Sequence, residues 1–273
     1  MSKTSKFVKE LASDKRSTRD AAFEALSKYL RSRSTAQLSL LEMEKLWKGL
    51  YYTMWLCDRP RPQEQLAESL GSFFSEVVPS NCLPNFLEAF WVVIVREWHN
   101  IDYWRVDKYY LLIRRVLRHN FKKLKSQNWP LKDIDNFLTV YEKLPLSGKS
   151  TISTALPYHL CDIYLDELER VIFEDISEDE EEEGDDEQEN KRLESVVSEK
   201  KKDILHQVPV GKLIVPFEKL EKSDTLKPLK NKIKEEVLSD PRLVEWGVFQ
   251  AEEDKDGNED EDENEEEEWH GFD

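Results

Sequence analysis

The stretch that decides the fold runs from Trp91 to Asn120 and reads WVVIVREWHN IDYWRVDKYY LLIRRVLRHN. The residues from about Leu83 to Trp98 are apolar almost all round, which is typical of a helix buried between neighbours. The pattern stops at His99-Asn100, and Asp102 then stands where an N-cap would open a long helix running to about Lys125. The stretch therefore predicts two helices that meet at a tight corner.

The second of these helices is amphipathic. At about 100° per residue, one face collects apolar side chains, namely Val106, Tyr109, Tyr110, Ile113, Val116, Leu117, Phe121 and Leu124. The opposite face carries a basic stripe made of Lys108, Arg115, Arg118, Lys122 and Lys125. One interpretation is an ordinary solvated outer face. Since no acidic residue alternates with these bases at i,i+4, the other interpretation is a surface that binds phosphate.

The chain on either side repeats this pattern. Ser39 and Glu42 match a capping box that opens a third helix, and Ser17 or Thr18 is in place to cap the second. Prolines suit the first turns of later helices, and helix pairs recur about every 40 residues. The expected fold class is all-α, a HEAT- or armadillo-like stack of antiparallel helix pairs, with an irregular bundle as the alternative.

Composition changes abruptly after this helical-repeat body, which spans residues 1–173. Residues 174–203 are expected to form a disordered acidic insertion, and residues 251–273 a disordered acidic tail. Between them, residues 204–250 contain an apolar run and a further helix with Leu226, Leu229, Ile233 and Val237 on one face. The run needs burial on the body or on a partner, and its predicted partner-binding residues are Leu213, Ile214, Val215 and Phe217.

Positive and negative residues are distributed unevenly along the chain. The chain of 273 residues has a net charge of −17. Residues 1–150 hold 25 Lys and Arg against 17 Asp and Glu, whereas residues 151–273 hold 15 against 40. A mildly basic body therefore carries acidic appendages. The three cysteines lie far apart, which indicates free thiols of a reducing compartment, and no apolar run is long enough to predict a membrane span.

The sequence contains few residue patterns that could form a catalytic, nucleotide-binding or metal site. Gly148-Lys149-Ser150-Thr151 lacks the earlier glycine and the strand of a phosphate-binding loop, and the five histidines show no metal-ligand spacing. We therefore expect no enzyme, no catalytic residue, no metal, no cofactor and no small-molecule substrate. Besides the basic stripe, predicted RNA contacts lie at interhelical corners, where the alternative is capping of helix C-termini: Arg31, Arg33, Arg59 and Arg61. Ser177, followed by acidic residues, is predicted to be phosphorylated by an acidophilic kinase.

Four blocks carry a resemblance to a known family. They are Phe7–Leu30, WKGLYYTMWLCDRP (Trp47–Pro60), Arg96–Lys108 and HLCDIYLDEL (His159–Leu168). Together they are similar to the eukaryotic ribosomal RNA-processing protein 1 family. The resemblance implies a nucleolar assembly factor of the large (60S) ribosomal subunit, required for 27S and second internal spacer pre-rRNA processing. It also implies a scaffold that binds pre-rRNA, ribosomal proteins and other pre-60S assembly factors. An alternative is an acidic chaperone for histones or ribosomal proteins that makes no direct RNA contact.

Overall fold

The structure is a computed structural model that describes residues 3–176 and 187–249. Within these residues the α-helices are α1 (Lys3–Leu11), α2 (Arg16–Leu30), α3 (Leu40–Trp55), α4 (Pro60–Ser72), α5 (Leu83–Glu97), α6 (Val106–Ser126), α7 (Leu131–Lys143), α8 (Ala155–Ile172), α9 (Glu187–Leu205), α10 (Val210–Lys222), α11 (Lys227–Ile233) and α12 (Pro241–Glu245). A π-helical turn, Phe73–Val77, continues α4, and another, Lys234–Leu238, continues α11.

The helices pack in two layers in alternating order. α1, α3, α5, α7 and α10 lie side by side in one layer, while α2, α4, α6, α8 and α11 form the other. Consecutive helices run antiparallel, so the corners fall on two edges of the stack. We call edge A the edge that holds the α1–α2, α3–α4, α5–α6, α7–α8 and α10–α11 corners, and edge B the opposite one. The predicted all-α stack of antiparallel helix pairs is confirmed.

An aromatic cluster centred on Trp47 of α3 fills the space between the layers. Its ring lies 4.9 Å from the ring of Phe90 and 5.7 Å from that of Phe74, measured between centroids. The indole Nε1 donates a hydrogen bond of 3.1 Å to the backbone oxygen of Phe86, so burial leaves this polar atom satisfied. The tryptophan therefore serves packing, as expected for the core aromatics.

Close approach between neighbouring helices of one layer depends on a glycine in α4. A Cβ atom at Gly71 would lie 2.5 Å from Cδ2 of His119 and 3.0 Å from the backbone oxygen of Arg115. These contacts are too short for any larger residue with the present spacing. Gly71 thus lets α4 lie directly against α6.

The apolar segment after residue 204 extends the stack with a fifth helix pair, α10 and α11. The Tyr164 hydroxyl of α8 donates a 2.8 Å hydrogen bond to the Leu213 oxygen, and the Tyr164 and Phe217 rings are 4.9 Å apart. Leu213, Ile214 and Phe217 are fully buried and Val215 is half-buried. Their predicted role as a partner-binding surface is corrected here, because side chains inside the chain's own core offer no area to a partner.

Several local expectations also differ from the structure. Asp102 does not cap α6, which begins at Val106; its carboxylate pairs with Arg105 instead. α2 begins at Arg16, so neither Ser17 nor Thr18 caps it. Residues 187–203, expected to be disordered, lie within α9. By contrast, Ser39 and Glu42 form the expected capping box at the start of α3.

Leu226, assigned to the apolar face of α11, is instead the exposed N-cap residue of that helix. Among the described residues, no single helix is long and apolar enough to cross a membrane. Pro60–Val77 and Ser80–Asn100 pass that test only together, as a pair bent by 114°.

Candidate functional site

The basic stripe of α6 lies against neighbouring helices of this chain. Its first member, Lys108, is 5% exposed. The Lys108 ammonium donates hydrogen bonds of 2.7 Å to the Trp55 oxygen and 2.9 Å to the Cys57 oxygen, and Asp58 lies 3.9 Å away. Burial lowers the pKa of this ammonium, and Asp58 offsets part of the effect. Lys108 thus caps the C-terminus of α3, and its burial there keeps the ammonium away from an external phosphate.

A buried carboxylate on α8 joins α6 to α8. Glu167 is fully buried and accepts hydrogen bonds from the Nε atoms of Arg114 and Arg118, and a third, of 3.0 Å, from Nη2 of Arg118. Burial works against ionisation of Glu167, but the hydrogen bonds from Arg118 and Arg114 outweigh it and hold the pKa of this carboxyl below its ordinary value. Charge-assisted pairs of this kind fix the two helices in register.

On the other side of α6, α4 supplies the counter-charge. The Arg115 Nε atom lies 3.0 Å from a carboxylate oxygen of Glu68, and the other oxygen of Glu68 lies 2.9 Å from Nε2 of His119. Nδ1 of His119 is 2.8 Å from the Ser75 hydroxyl oxygen. Burial lowers the pKa of His119 despite the contact with Glu68, and the ring links α6 to α4 through Glu68 and Ser75.

The Ser75–His119–Glu68 chain has the composition of a catalytic triad, and sequence spacing gave no sign of it. His119 is only 3% exposed beneath α4, however, so a substrate has no path to the imidazole that would act as base. The chain is therefore interpreted as a polar link in the α4–α6 interface. No group of three or more His, Cys, Asp or Glu side chains within residues 3–176 and 187–249 is arranged to hold a metal ion.

The last two members of the stripe meet the end of α8. Lys122 pairs with Glu174, and the Lys125 ammonium donates to the Val171 oxygen at 2.8 Å and lies 2.6 Å from Asp175. All five bases are thus engaged inside the chain. The absence of acidic residues at i,i+4 did not leave the stripe without partners, because those partners come from α4, from α8 and its C-terminal end, and from the end of α3.

The corner arginines do not form one surface. Arg31 is exposed on edge B, whereas Arg59 and Arg61 are exposed on edge A, at the α3–α4 corner. Among the described contacts, the guanidinium groups of Arg59 and Arg61 have no ion-pair or hydrogen-bond partner, and the side chain of Arg33 lies outside the described part. Capping of helix ends falls to other bases, including Arg19, which donates to the Ser13 and Asp14 oxygens. Arg59 and Arg61 therefore remain available to an external anion.

A cleft of about 430 Å³ adjoins the α3–α4 corner between α2 and α4. Arg16, Arg59 and Gln65 contribute polar groups to its wall, and Phe23 contributes an aromatic ring. The combination suits a ligand with both charged and flat apolar parts.

Sequence reasoning missed the most exposed aromatic side chains that the structure describes. Tyr103 is 82% exposed and Trp104 is 88% exposed, both at the α5–α6 corner on edge A. Their exposure could have been predicted from the sequence, because both residues lie between two helices and belong to the apolar face of neither. Ser177, the predicted phosphorylation site, lies outside the described residues.

Stacked helix pairs joined by interhelical ion pairs define an all-α helical-repeat protein. A family model described as "Nucleolar protein, Nop52" matches residues 2–271. The chain belongs to this nucleolar protein family, and the resemblance drawn from the four blocks is confirmed. The predicted nucleolar location agrees with the description of the family.

Individual relatives match about 60% of the chain. Human "Ribosomal RNA processing protein 1 homolog B" is 40% identical over 168 residues, covering 60% of this chain and 22% of that protein. Mouse "Ribosomal RNA processing protein 1 homolog A" is 33% identical over 176 residues, covering 63% and 36%. The Caenorhabditis elegans "Ribosomal RNA processing protein 1 homolog" is 32% identical over 165 residues, covering 60% and 41%. The matched part thus spans less than half the length of these relatives.

Proposed function

We propose that this chain is a non-enzymatic nucleolar assembly factor of the large ribosomal subunit, which holds pre-rRNA and other assembly factors in place during 27S and second internal spacer processing. The observation that carries the proposal is the family match over residues 2–271, together with relatives named for ribosomal RNA processing. The fold supports it, since a two-layer stack is a rigid body with long edges that several partners can share.

The described side chains favour a scaffold over a catalyst. The buried polar groups that could do chemistry, including Glu167 and His119, are occupied in helix-to-helix contacts. Free charge lies instead on the surface, at Arg59 and Arg61 of edge A. A phosphate backbone is the ligand that such guanidinium groups fit best, because they can donate two parallel hydrogen bonds to it.

Depletion of the protein from cells, followed by complementation, tests this function. We expect the 27S precursor to accumulate while small-subunit precursors mature normally, and we expect the tagged wild-type chain to co-purify with large-subunit precursor particles. Unchanged 27S processing after depletion would contradict the proposal.

Charge reversal at edge A tests the direct RNA contact. Arg59→Glu with Arg61→Glu should weaken binding to a large-subunit pre-rRNA fragment and reduce the slope of log K against log salt by about 0.7 to 0.9 for each lost phosphate contact. Lys28→Glu with Lys132→Glu is the matched control, since both lysines are exposed, are away from edge A and undergo the same charge change. Equal losses in the two double variants would show only a general effect of net charge.

The acidic chaperone is the second candidate, and the excess of 40 Asp and Glu over 15 Lys and Arg in residues 151–273 favours it. It predicts that the chain binds free histones or ribosomal proteins, and that deletion of residues 251–273 abolishes this binding without changing affinity for pre-rRNA. The scaffold predicts that the same deletion leaves co-purification with precursor particles intact.

A further inference from the structure

The α5–α6 corner presents a pair of aromatic rings to solvent. Tyr103 and Trp104 are 82% and 88% exposed, and their ring centroids are 5.6 Å apart with an angle of 77° between the planes. Each ring therefore offers a separate open face. Aromatic side chains bury about 150–250 Å² when covered, so leaving two adjacent ones in water forgoes a large hydrophobic gain. A surface of this kind is typical of a binding site.

The backbone that carries the two rings is fixed on both sides. Trp98, before them, is 7% exposed and packs 5.2 Å from the ring of Tyr110. Arg105, after them, pairs with Asp102 and lies 4.6 Å above the ring of Trp55 at the end of α3. Because both flanks are anchored, the backbone of this corner needs little reordering when a ligand binds.

The same contacts bring the α5–α6 corner next to the corner that carries Arg59 and Arg61. Arg105 and Lys108 of the α5–α6 side both contact the last residues of α3, so this corner adjoins the α3–α4 corner on edge A. Arg59 and Arg61 are exposed there, and the described contacts give them no counter-ion. Aromatic rings next to free guanidinium groups are the two elements of a surface that binds single-stranded nucleic acid.

We infer that edge A binds single-stranded RNA, with unpaired bases stacked on Tyr103 and Trp104 and the adjoining phosphates held by Arg59 and Arg61. The inference rests on the proposed function and deepens it, since it names the RNA structure that the scaffold takes. A protein partner would need both an apolar pocket for the rings and separately placed carboxylates for the two guanidinium groups. RNA satisfies both, because every nucleotide carries a flat base and a phosphate.

Binding of a short fluorescein-labelled oligouridine to the full chain tests the inference, since this RNA has no duplex and little stacking of its own. Tyr103→Ala with Trp104→Ala should weaken the affinity roughly 5- to 150-fold for each stacked base that is lost. Tyr103→Phe with Trp104→Phe, which keeps two rings, should restore most of it. Leu131→Ala is the matched control, because Leu131 is 59% exposed but lies at the start of α7 on edge B.

Salt titration separates the two elements of the site. The alanine pair should lower affinity with an unchanged salt slope, while Arg59→Glu with Arg61→Glu should lower both affinity and slope. Circular dichroism melting should be the same for all variants, since every substituted side chain is exposed. The inference is overturned if the alanine pair binds oligouridine as the wild type does, or if the phenylalanine pair fails to restore binding.

Failure here is distinguishable from failure of the proposed function. If the alanine pair binds oligouridine normally but loses one assembly factor from purified precursor particles, the rings dock a protein and the RNA inference is wrong, whereas the scaffold function stands. If depletion leaves 27S processing unchanged, the proposed function itself is wrong.

Discussion

Replacing Glu167 with glutamine removes the negative charge at the centre of the α6–α8 interface. Gln is nearly isosteric and still accepts a hydrogen bond, so the change tests charge rather than shape. The guanidinium groups of the two arginines that contact Glu167 differ in the ion-pair partners they keep after the substitution. Arg114 keeps a second carboxylate, Asp166, at 3.4 Å and is about one-third exposed, whereas Arg118 is 8% exposed and bonds only to Glu167 among the described contacts.

The expected loss follows mainly from Arg118. Leaving one buried ion without its partner costs about 3–5 kcal/mol in the free energy of unfolding. That is a large part of the roughly 5–15 kcal/mol available to a folded domain. Urea unfolding followed by circular dichroism should show this decrease at pH 7 with a nearly unchanged m-value. Asp166→Asn is the control, since Asp166 is exposed and its loss should cost at most about 1 kcal/mol.

The pH dependence has a definite sign. The pKa of Glu167 in the folded chain lies below its ordinary value of 4.5, so its ionic contribution is present above that value and disappears as pH falls through the folded-state pKa. The wild type should therefore lose more stability on acidification than the Glu167→Gln variant, and the two unfolding curves should converge. A loss below about 1 kcal/mol for Glu167→Gln at pH 7, or a gap that widens in acid, would refute the reasoning.

Three further substitutions test contacts that join the helices. Lys108→Met leaves two carbonyls at the end of α3 without a donor and should destabilise the chain by about 1–3 kcal/mol in urea unfolding, whereas the exposed Lys132→Met should be nearly neutral. Gly71→Ala gains up to about 1 kcal/mol of helix propensity but forces a Cβ into His119, so we expect a net loss of roughly 1–2 kcal/mol and a lower melting temperature. Phe217→Ala should cost about 3–5 kcal/mol and should free the fragment after residue 186 from the body when protease cleaves between residues 177 and 186.

Each of the three has an outcome that contradicts it. Equal effects of Lys108→Met and Lys132→Met would mean that Lys108 does not cap α3. A rise in melting temperature for Gly71→Ala would mean that α4 and α6 can separate without cost. If the cleaved wild-type fragment fails to stay bound in gel filtration, α10 and α11 do not pack on the body as described.

Most helices could be predicted from the sequence because the signals that place them are local. The capping box of Ser39 and the proline before α7 act on the residues beside them, and helical spacing reports which side of a helix is apolar. The same spacing assigned α10 correctly to a buried environment. Helical spacing could not predict whether the residues that bury α10 belong to this chain or to a partner, since spacing holds no information about contacts between distant residues.

The basic stripe shows most clearly what the sequence left open. Periodicity placed five bases on one face of α6, and that placement is correct. Whether that face meets solvent, phosphate or another helix depends on residues elsewhere: Glu167 of α8, the partner of Arg118, lies 49 positions along the chain. Local charge patterns detect pairs at i,i+4 only, so these ion pairs escaped them.

The sequence by itself determined the helices, the polarity of their faces and the family, because each depends on residue types at short spacing. The tertiary structure alone decided which charges are buried and which are free. Packing of α4 and α8 against α6 gave the basic stripe partners within the chain. On edge A, the side chains that stay exposed to solvent at the corners include Arg59, Arg61, Tyr103 and Trp104. The physical reason is that the packing of the helices sets the solvent exposure of each side chain. A side chain is available to a ligand only where no neighbouring helix covers it.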